Sequence, residues 1–189
     1  MMSPVYFDDI VVGQVLGELR KGTMTTAHIM RWSAAVENWH RIHYDYPFAT
    51  EHEDLPGVLI NGSWKQHVLV QLVKDSLGID GWLWKLAFRH KKMDMAGDEI
   101  VGRATVVKKQ MAAGLGFVTL EVALMNQHAE PSTVGHAIGV LRCKNGPAVP
   151  YPFVPPSGEA IKALNIVDVK LKRSFIKFPS DGELWDDGR

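Results

Sequence analysis

The chain has 189 residues, 46% hydrophobic and 22% charged, with 21 Lys+Arg against 21 Asp+Glu. That is enough for one domain with a substantial core, and balanced charge without a long basic run argues against nucleic acid as the main partner. One cysteine, Cys143, excludes an internal disulfide; with no signal-like N-terminus and no apolar stretch of membrane-spanning length, a soluble protein of the reducing cytoplasm is expected.

Tyr6 to Gln14 reads as a short extended segment turning at Gly13, and Leu16 to Thr23 as a strand. Thr25 or Thr26 offers a hydroxyl cap for a helix over about 27–37, in which Ile29, Trp32, Val36 and Ala35 share one face. The helix ends near Trp39, where a loop begins that carries His40, His43 and Asp45. Pro47 and Leu55-Pro56-Gly57 mark two further breaks. From Ser63 to Leu77, Trp64, Val68, Leu69, Leu72, Val73 and Leu77 follow the 3.6 period, and Gly78 suits the position just past the helix end. Fifteen residues make about 22 Å of helix, long enough to cross a sheet.

After Gly81 the runs have strand length: Trp84 to Met93, Glu99 to Gln110, Phe117 to Met125 and Thr133 to Cys143, with a break at Gly114-Leu115-Gly116. Val118, Leu120, Val122 and Leu124 alternate with Thr119 and Glu121, as a half-buried strand requires. Short turns between strands mean an antiparallel meander and an α+β fold. Five of the ten prolines fall between Pro147 and Pro156, which divides the chain into a compact domain over 1–146 and an extension over 147–189 that lies along the body or a neighbouring subunit. Within the extension, a helical turn at Glu159–Leu164 and a strand at Ile166–Lys172 are expected.

A long helix followed by such a meander resembles the hot-dog fold, an antiparallel sheet wrapped around one central helix. Phe7-Asp8-Asp9-Ile10-Val11-Val12-Gly13-Gln14, Asn61-Gly62 before the long helix and Lys92-Met93-Asp94-Met95-Ala96-Gly97-Asp98 in the turn are similar to the MaoC-like dehydratases, the (R)-specific enoyl-CoA hydratases. Asn38-Trp39-His40-Arg41-Ile42-His43-Tyr44-Asp45 resembles the branch with mesaconyl-CoA hydratases and fungal-type mitochondrial 3-hydroxyacyl-thioester dehydratases. The resemblance spans roughly residues 5 to 143. It implies reversible addition of water across the α,β double bond of an acyl thioester carried by coenzyme A or acyl carrier protein. It implies no metal and no cofactor beyond the coenzyme A thioester itself, and a homodimer or higher homo-oligomer, or a heteromer with another hot-dog chain. The family's catalytic histidine maps onto His43. Its partner aspartate, five residues earlier, is replaced by Asn38, and the usual His-Gly before the helix reads Asn61-Gly62.

Each candidate has a plainer role beside the chemical one. His43 titrates near neutrality and can give and take a proton, or it can hold the loop by hydrogen bonds. Asn38 cannot accept a proton; its amide either orients water or closes the first helix. Glu37 is the nearest carboxylate, and the base if the protein is instead a thioesterase; the other alternative, given the missing aspartate, is a non-catalytic acyl-binding subunit that supports an active partner hot-dog chain in a heteromeric hydratase. Gly62 lets a carbonyl approach a helix N-terminus, with Asn61 and Ser63 beside it as substrate contacts, or it serves only the turn while Asn61 caps the helix. His40, His43 and Asp45 have metal-ligand chemistry but no shared rigid face, so they are expected to contact substrate or neighbours and not a metal. Trp82, Trp84 and Phe88 form an aromatic cluster in core, interface or acyl pocket. Arg89, Lys91, Lys92, Lys108 and Lys109 either meet carrier phosphates or guard a strand edge.

Overall fold

The structure, a computed structural model, describes residues 4–157. After a 3-10 turn at Phe7–Asp9 come β1 (Val15–Thr23), α1 (Thr26–Ala35), short turns at Arg41–His43 and Phe48–His52, and α2 (Gly62–Leu77). The meander β2 (Trp82–His90), β3 (Glu99–Ala112), β4 (Leu115–Met125) and β5 (Pro131–Leu141) follows. The five strands form one antiparallel sheet in the order β1-β3-β4-β5-β2. α2 touches all five. The fold is a hot-dog.

The wrap follows from the burial pattern. α2 buries Val68, Leu69, Leu72, Val73 and Leu77 against Val118, Leu120, Val122 and Leu124, the inward face of β4. All four of those β4 residues are sealed from solvent, each worth about 1.5–3 kcal/mol relative to exposure. Close seating of the helix end needs small residues on the sheet. A Cβ at Gly17 would collide with Ser76 Oγ, and one at Gly139 with Leu77 Cδ2. Gly78 closes α2 with φ of +73°, where a side chain would be strained.

Several boundaries differ from the expected ones. α1 stops at Ala35 because the chain turns left-handed at Glu37, φ +53°. There the N–H of Asn38 returns to Ser33 O at 2.9 Å and that of Glu37 to Ala34 O at 3.4 Å, the paired bonds of a Schellman end. Val36, expected on the apolar face, is therefore past the helix and exposed. The β3–β4 turn is Ala113-Gly114, both with positive φ, and Leu115 and Gly116 already belong to β4.

The aromatic cluster of β2 does not stay together. A register shift between Leu83 and Lys85 reverses the alternation. Trp82 and Trp84 consequently lie on the outer face with Phe117, Ile138 and Val140, while Leu86 and Phe88 pack inward against the core. The proline-rich chain past Gly146 runs over this outer face, and Val149 and Phe153 pack on it. The helical turn and strand expected within 159–172 lie outside the described residues.

Candidate active site

Three segments converge at the start of α2. The chain over 58–61 runs between the histidine loop and the turn after β2. Leu59 N–H bonds Ile42 O at 2.9 Å on one side, and Ile60 N–H bonds Asp94 O at 2.9 Å on the other. These backbone bonds fix the loop and turn relative to Gly62.

His43 is 7% exposed. Its Nδ1 lies 2.8 Å from Leu59 O. A carbonyl only accepts, so Nδ1 carries the proton in the neutral ring and Nε2 keeps a lone pair. Nε2 has no hydrogen-bond partner among the described residues. Burial lowers the pKa below the usual imidazole value, the Leu59 bond opposes this, and nearby His40 adds to the lowering. The Leu59 bond thus fixes the orientation and tautomer of the ring, and burial favours its neutral form.

The other loop residues have structural partners. Asn38 Oδ1 accepts the His40 N–H at 3.3 Å, and no hydrogen bond joins Asn38 to His43 among the described residues. His40 Nδ1 accepts the Ile42 N–H at 3.5 Å, and its ring stands edge-on to His43 with centroids 6.2 Å apart. Asp45 Oδ2 takes two bonds from Arg41, at 3.0 and 2.7 Å, while Oδ1 accepts the Phe48 N–H at 3.1 Å. The Phe48 N–H and then Arg41 hold the Asp45 pKa below the usual carboxylate range. His40, His43 and Asp45 thus engage separate partners, and no group of three or more metal-ligand side chains gathers among the described residues. Glu37, the alternative base, is exposed at the left-handed turn.

At the start of α2, Asn61 is buried, but its side chain makes no cap. Its amide straddles Ser33 Oγ, with Nδ2 at 3.0 Å and Oδ1 at 3.3 Å, tying α1 to α2. The N–H groups of Gly62, Ser63 and Trp64 therefore lack partners among the described residues, leaving the positive end of the helix open. Ser63 Oγ accepts the indole N–H of Trp32 at 2.9 Å, which leaves its own proton free to donate. Trp32 and Trp64, with Met24 and Arg31, line a cleft of about 390 Å³ on the α1 side.

His90 is the residue that sequence reading missed. A Cβ on Gly62 would stand 3.0 Å from His90 Nε2, so the imidazole covers the glycine from the strand side. Nδ1 lies 3.1 Å from Thr133 Oγ1. His90 also lines a second cleft, of about 520 Å³, with Pro56, Lys91, Lys92, Met93 and Met95. His43 lines neither cleft. The available signal was period 2: His90 follows the inward-facing Leu86 and Phe88. Behind it, Lys65 Nζ lies 2.6 Å from Asp94 Oδ2, both nearly sealed from solvent, and Lys65 also donates to Lys92 O at 3.1 Å. Of the lysines considered for phosphate, Lys92 pairs with Glu130 and Lys109 donates to Phe7 O and Ile10 O.

Residues 17–96, less than half of the chain, match the profile of the hydroxyacyl-thioester dehydratase type 2 family, Htd2. No protein of curated function matches the chain significantly. Among solved structures it is similar to the (R)-hydratase from A. caviae involved in PHA biosynthesis, at 19% identity and TM-score 0.62, covering 70% of this chain and 98% of that one. A MaoC-like dehydratase from Rhodospirillum rubrum gives 18% identity and TM-score 0.64, over 74% of this chain and 98% of the other. A conserved hypothetical protein from Mycobacterium tuberculosis with a double hotdog fold gives 17% and 0.58, over 82% and 47%. At these identities the structures establish the fold.

Proposed function

We propose that this protein catalyses reversible hydration of a 2-enoyl thioester to the 3-hydroxyacyl thioester, as a hydro-lyase of the MaoC-like type. The observation that carries the reading is His43: a buried imidazole whose Nδ1 is committed to Leu59 O and whose Nε2 has no partner among the described residues. The Htd2 match over 17–96, which includes both His43 and Gly62, supports it.

In hydration, the water oxygen bonds to Cβ as its proton passes to His43 Nε2. The π electrons of the double bond move toward the thioester, giving an enolate-like oxygen. The N–H groups of Gly62 and Ser63 stabilise that oxygen. The imidazolium then returns the proton to Cα, leaving His43 neutral. Leu59, whose carbonyl holds His43, and Gly62 are three residues apart, a chain reach of at most about 10 Å, which keeps the imidazole and the helix start on one short stretch of chain. Asn38, in this reading, directs water through its free Nδ2 while its Oδ1 stays on His40. Without a carboxylate beside His43, one imidazole handles both protons.

The thioester rides on coenzyme A or acyl carrier protein, and the reading needs no other cofactor. Carbonyl attack by a carboxylate-activated water, the thioesterase alternative, draws no support from Glu37 in its exposed position. The β2 edge of the sheet lacks a strand neighbour within the described chain, and pairing of two copies there is the assembly we favour. The test is loss of the enoyl-thioester absorbance with crotonyl-CoA and mesaconyl-CoA, with a thiol reagent alongside. Loss without thiol release is expected, and His43→Ala should abolish it while the protein stays folded. Thiol release, or full activity in that variant, overturns the reading.

A further inference from the structure

His90 has no part in the chemistry above, yet its ring stands directly over Gly62 at the helix start. Its Nε2 is 3.0 Å from the position a Gly62 Cβ would take, at the end of α2 where three N–H groups have no partner among the described residues. The remaining question is whether that nitrogen offers a proton or a lone pair.

Thr133 supplies the answer. Its side chain is fully buried, and its hydroxyl has no hydrogen-bond partner other than His90 Nδ1 among the described residues. A buried hydroxyl must place its proton on an acceptor. Among the described residues the acceptor within reach is Nδ1, so Nδ1 takes the Thr133 proton and the neutral ring carries its own proton on Nε2. Partial desolvation and the neighbouring Lys65 ammonium lower the ring's pKa, with Asp94 opposing. Phe88, edge-on with centroids 5.4 Å apart, braces the ring on the strand. His43 and His90 are therefore held in opposite tautomers, one a base and the other a donor.

Resting on the hydratase reading, we propose that His90 is a further catalytic residue, whose Nε2–H donates to the thioester carbonyl oxygen beside the N–H groups of Gly62 and Ser63. It fills the side-chain donor role for which Asn61, bound to Ser33, is not free. As negative charge gathers on that oxygen the donor bond strengthens, and His90 neither gains nor loses a proton. Access to this donor is from the cleft formed with Pro56, Lys92, Met93 and Met95, which puts one arm of the substrate on that side of the helix start.

The test has two parts, both on the full chain. Two-dimensional NMR of the ¹⁵N-histidine-labelled protein should show His90 protonated on Nε2 and His43 on Nδ1, with assignments made by loss of each signal in His90→Gln and His43→Ala. Finding His90 protonated on Nδ1 overturns the proposal. In turnover of crotonyl-CoA or whichever enoyl thioester the wild type accepts, His90→Ala should lower kcat about 100-fold with little change in KM, the usual scale for one oxyanion donor. His90→Gln, which restores an N–H at similar reach, should recover most of the loss. Thr133→Val, nearly isosteric and buried, should cost activity while allowing the two tautomers to mix. A His90→Ala loss within twofold means the ring only fills space above Gly62, and Gln as poor as Ala means no donor is needed. Either result overturns the assignment. Wild-type turnover is read first: an inactive wild type overturns the hydratase reading and the His90 role with it, whereas an active wild type with an indifferent His90 overturns only the latter.

Discussion

Glu37→Gly separates structure from chemistry at the position where a carboxylate would be most expected. Glu37 has φ +53° and closes α1 with its N–H on Ala34 O, the position that glycine usually occupies. A non-glycine residue in this region costs about 1–2 kcal/mol. Glycine removes that strain but brings back about 0.5–1 kcal/mol of unfolded-chain entropy. The net gain is about 0.5–1 kcal/mol, because no ion pair or side-chain hydrogen bond of Glu37 is lost among the described residues. In a chain of this size it corresponds to a rise in Tm of roughly 1–4 °C. Urea denaturation and a thermal scan measure the stability, and the enoyl-thioester assay measures the activity on the same samples. The expected result is a slightly more stable enzyme with unchanged kcat/KM. A fall in Tm refutes the Schellman assignment, and a collapse in activity refutes the exclusion of Glu37 from the chemistry.

The pH dependence follows from both imidazoles having lowered pKa values. Below about 6.5 the unfolded chain binds more protons than the folded one, so stability is unpenalised above that pH and declines as pH falls toward the folded values. The acid limb of kcat/KM should likewise lie below about 6.5; a limb above it, in a pH–rate profile, counts against His43 as the base. Gly62→Ala pushes a Cβ to 3.0 Å from His90 Nε2, and the exposed ring can shift by a few tenths of an ångström. We expect roughly tenfold lower kcat with stability changed by less than about 1 kcal/mol, since alanine favours the helix; undiminished turnover would argue against a carbonyl at this position. Asp94→Ala leaves the Lys65 ammonium buried without its carboxylate and should cost about 3–5 kcal/mol in urea denaturation. Replacing the pair with Met and Leu should restore most of that, and a single variant as stable as wild type would mean water replaces the carboxylate.

What could be read from the chain alone was whatever depends on near neighbours. α2 was legible because Val68, Leu69, Leu72, Val73 and Leu77 repeat on one face, and β4 because its inward residues alternate without interruption. Both patterns reflect a single buried side. The loop histidine was legible from its surrounding string of residues, although the carbonyl that orients it, Leu59 O, lies sixteen positions away. The failures mark places where a long-range contact overrules local pattern. Ser33 claims the Asn61 amide across two helices, so a residue that caps well by propensity does not cap. One register shift in β2 sends Trp84 outward and Phe88 inward, although the sequence between them alternates evenly. His90 reaches Gly62 only because the sheet curls around α2, bringing the end of β2 to the start of the helix. Composition and periodicity determined which segments would be helix or strand. The curvature of the sheet decided which side chains would meet, because it is set by packing across the whole core.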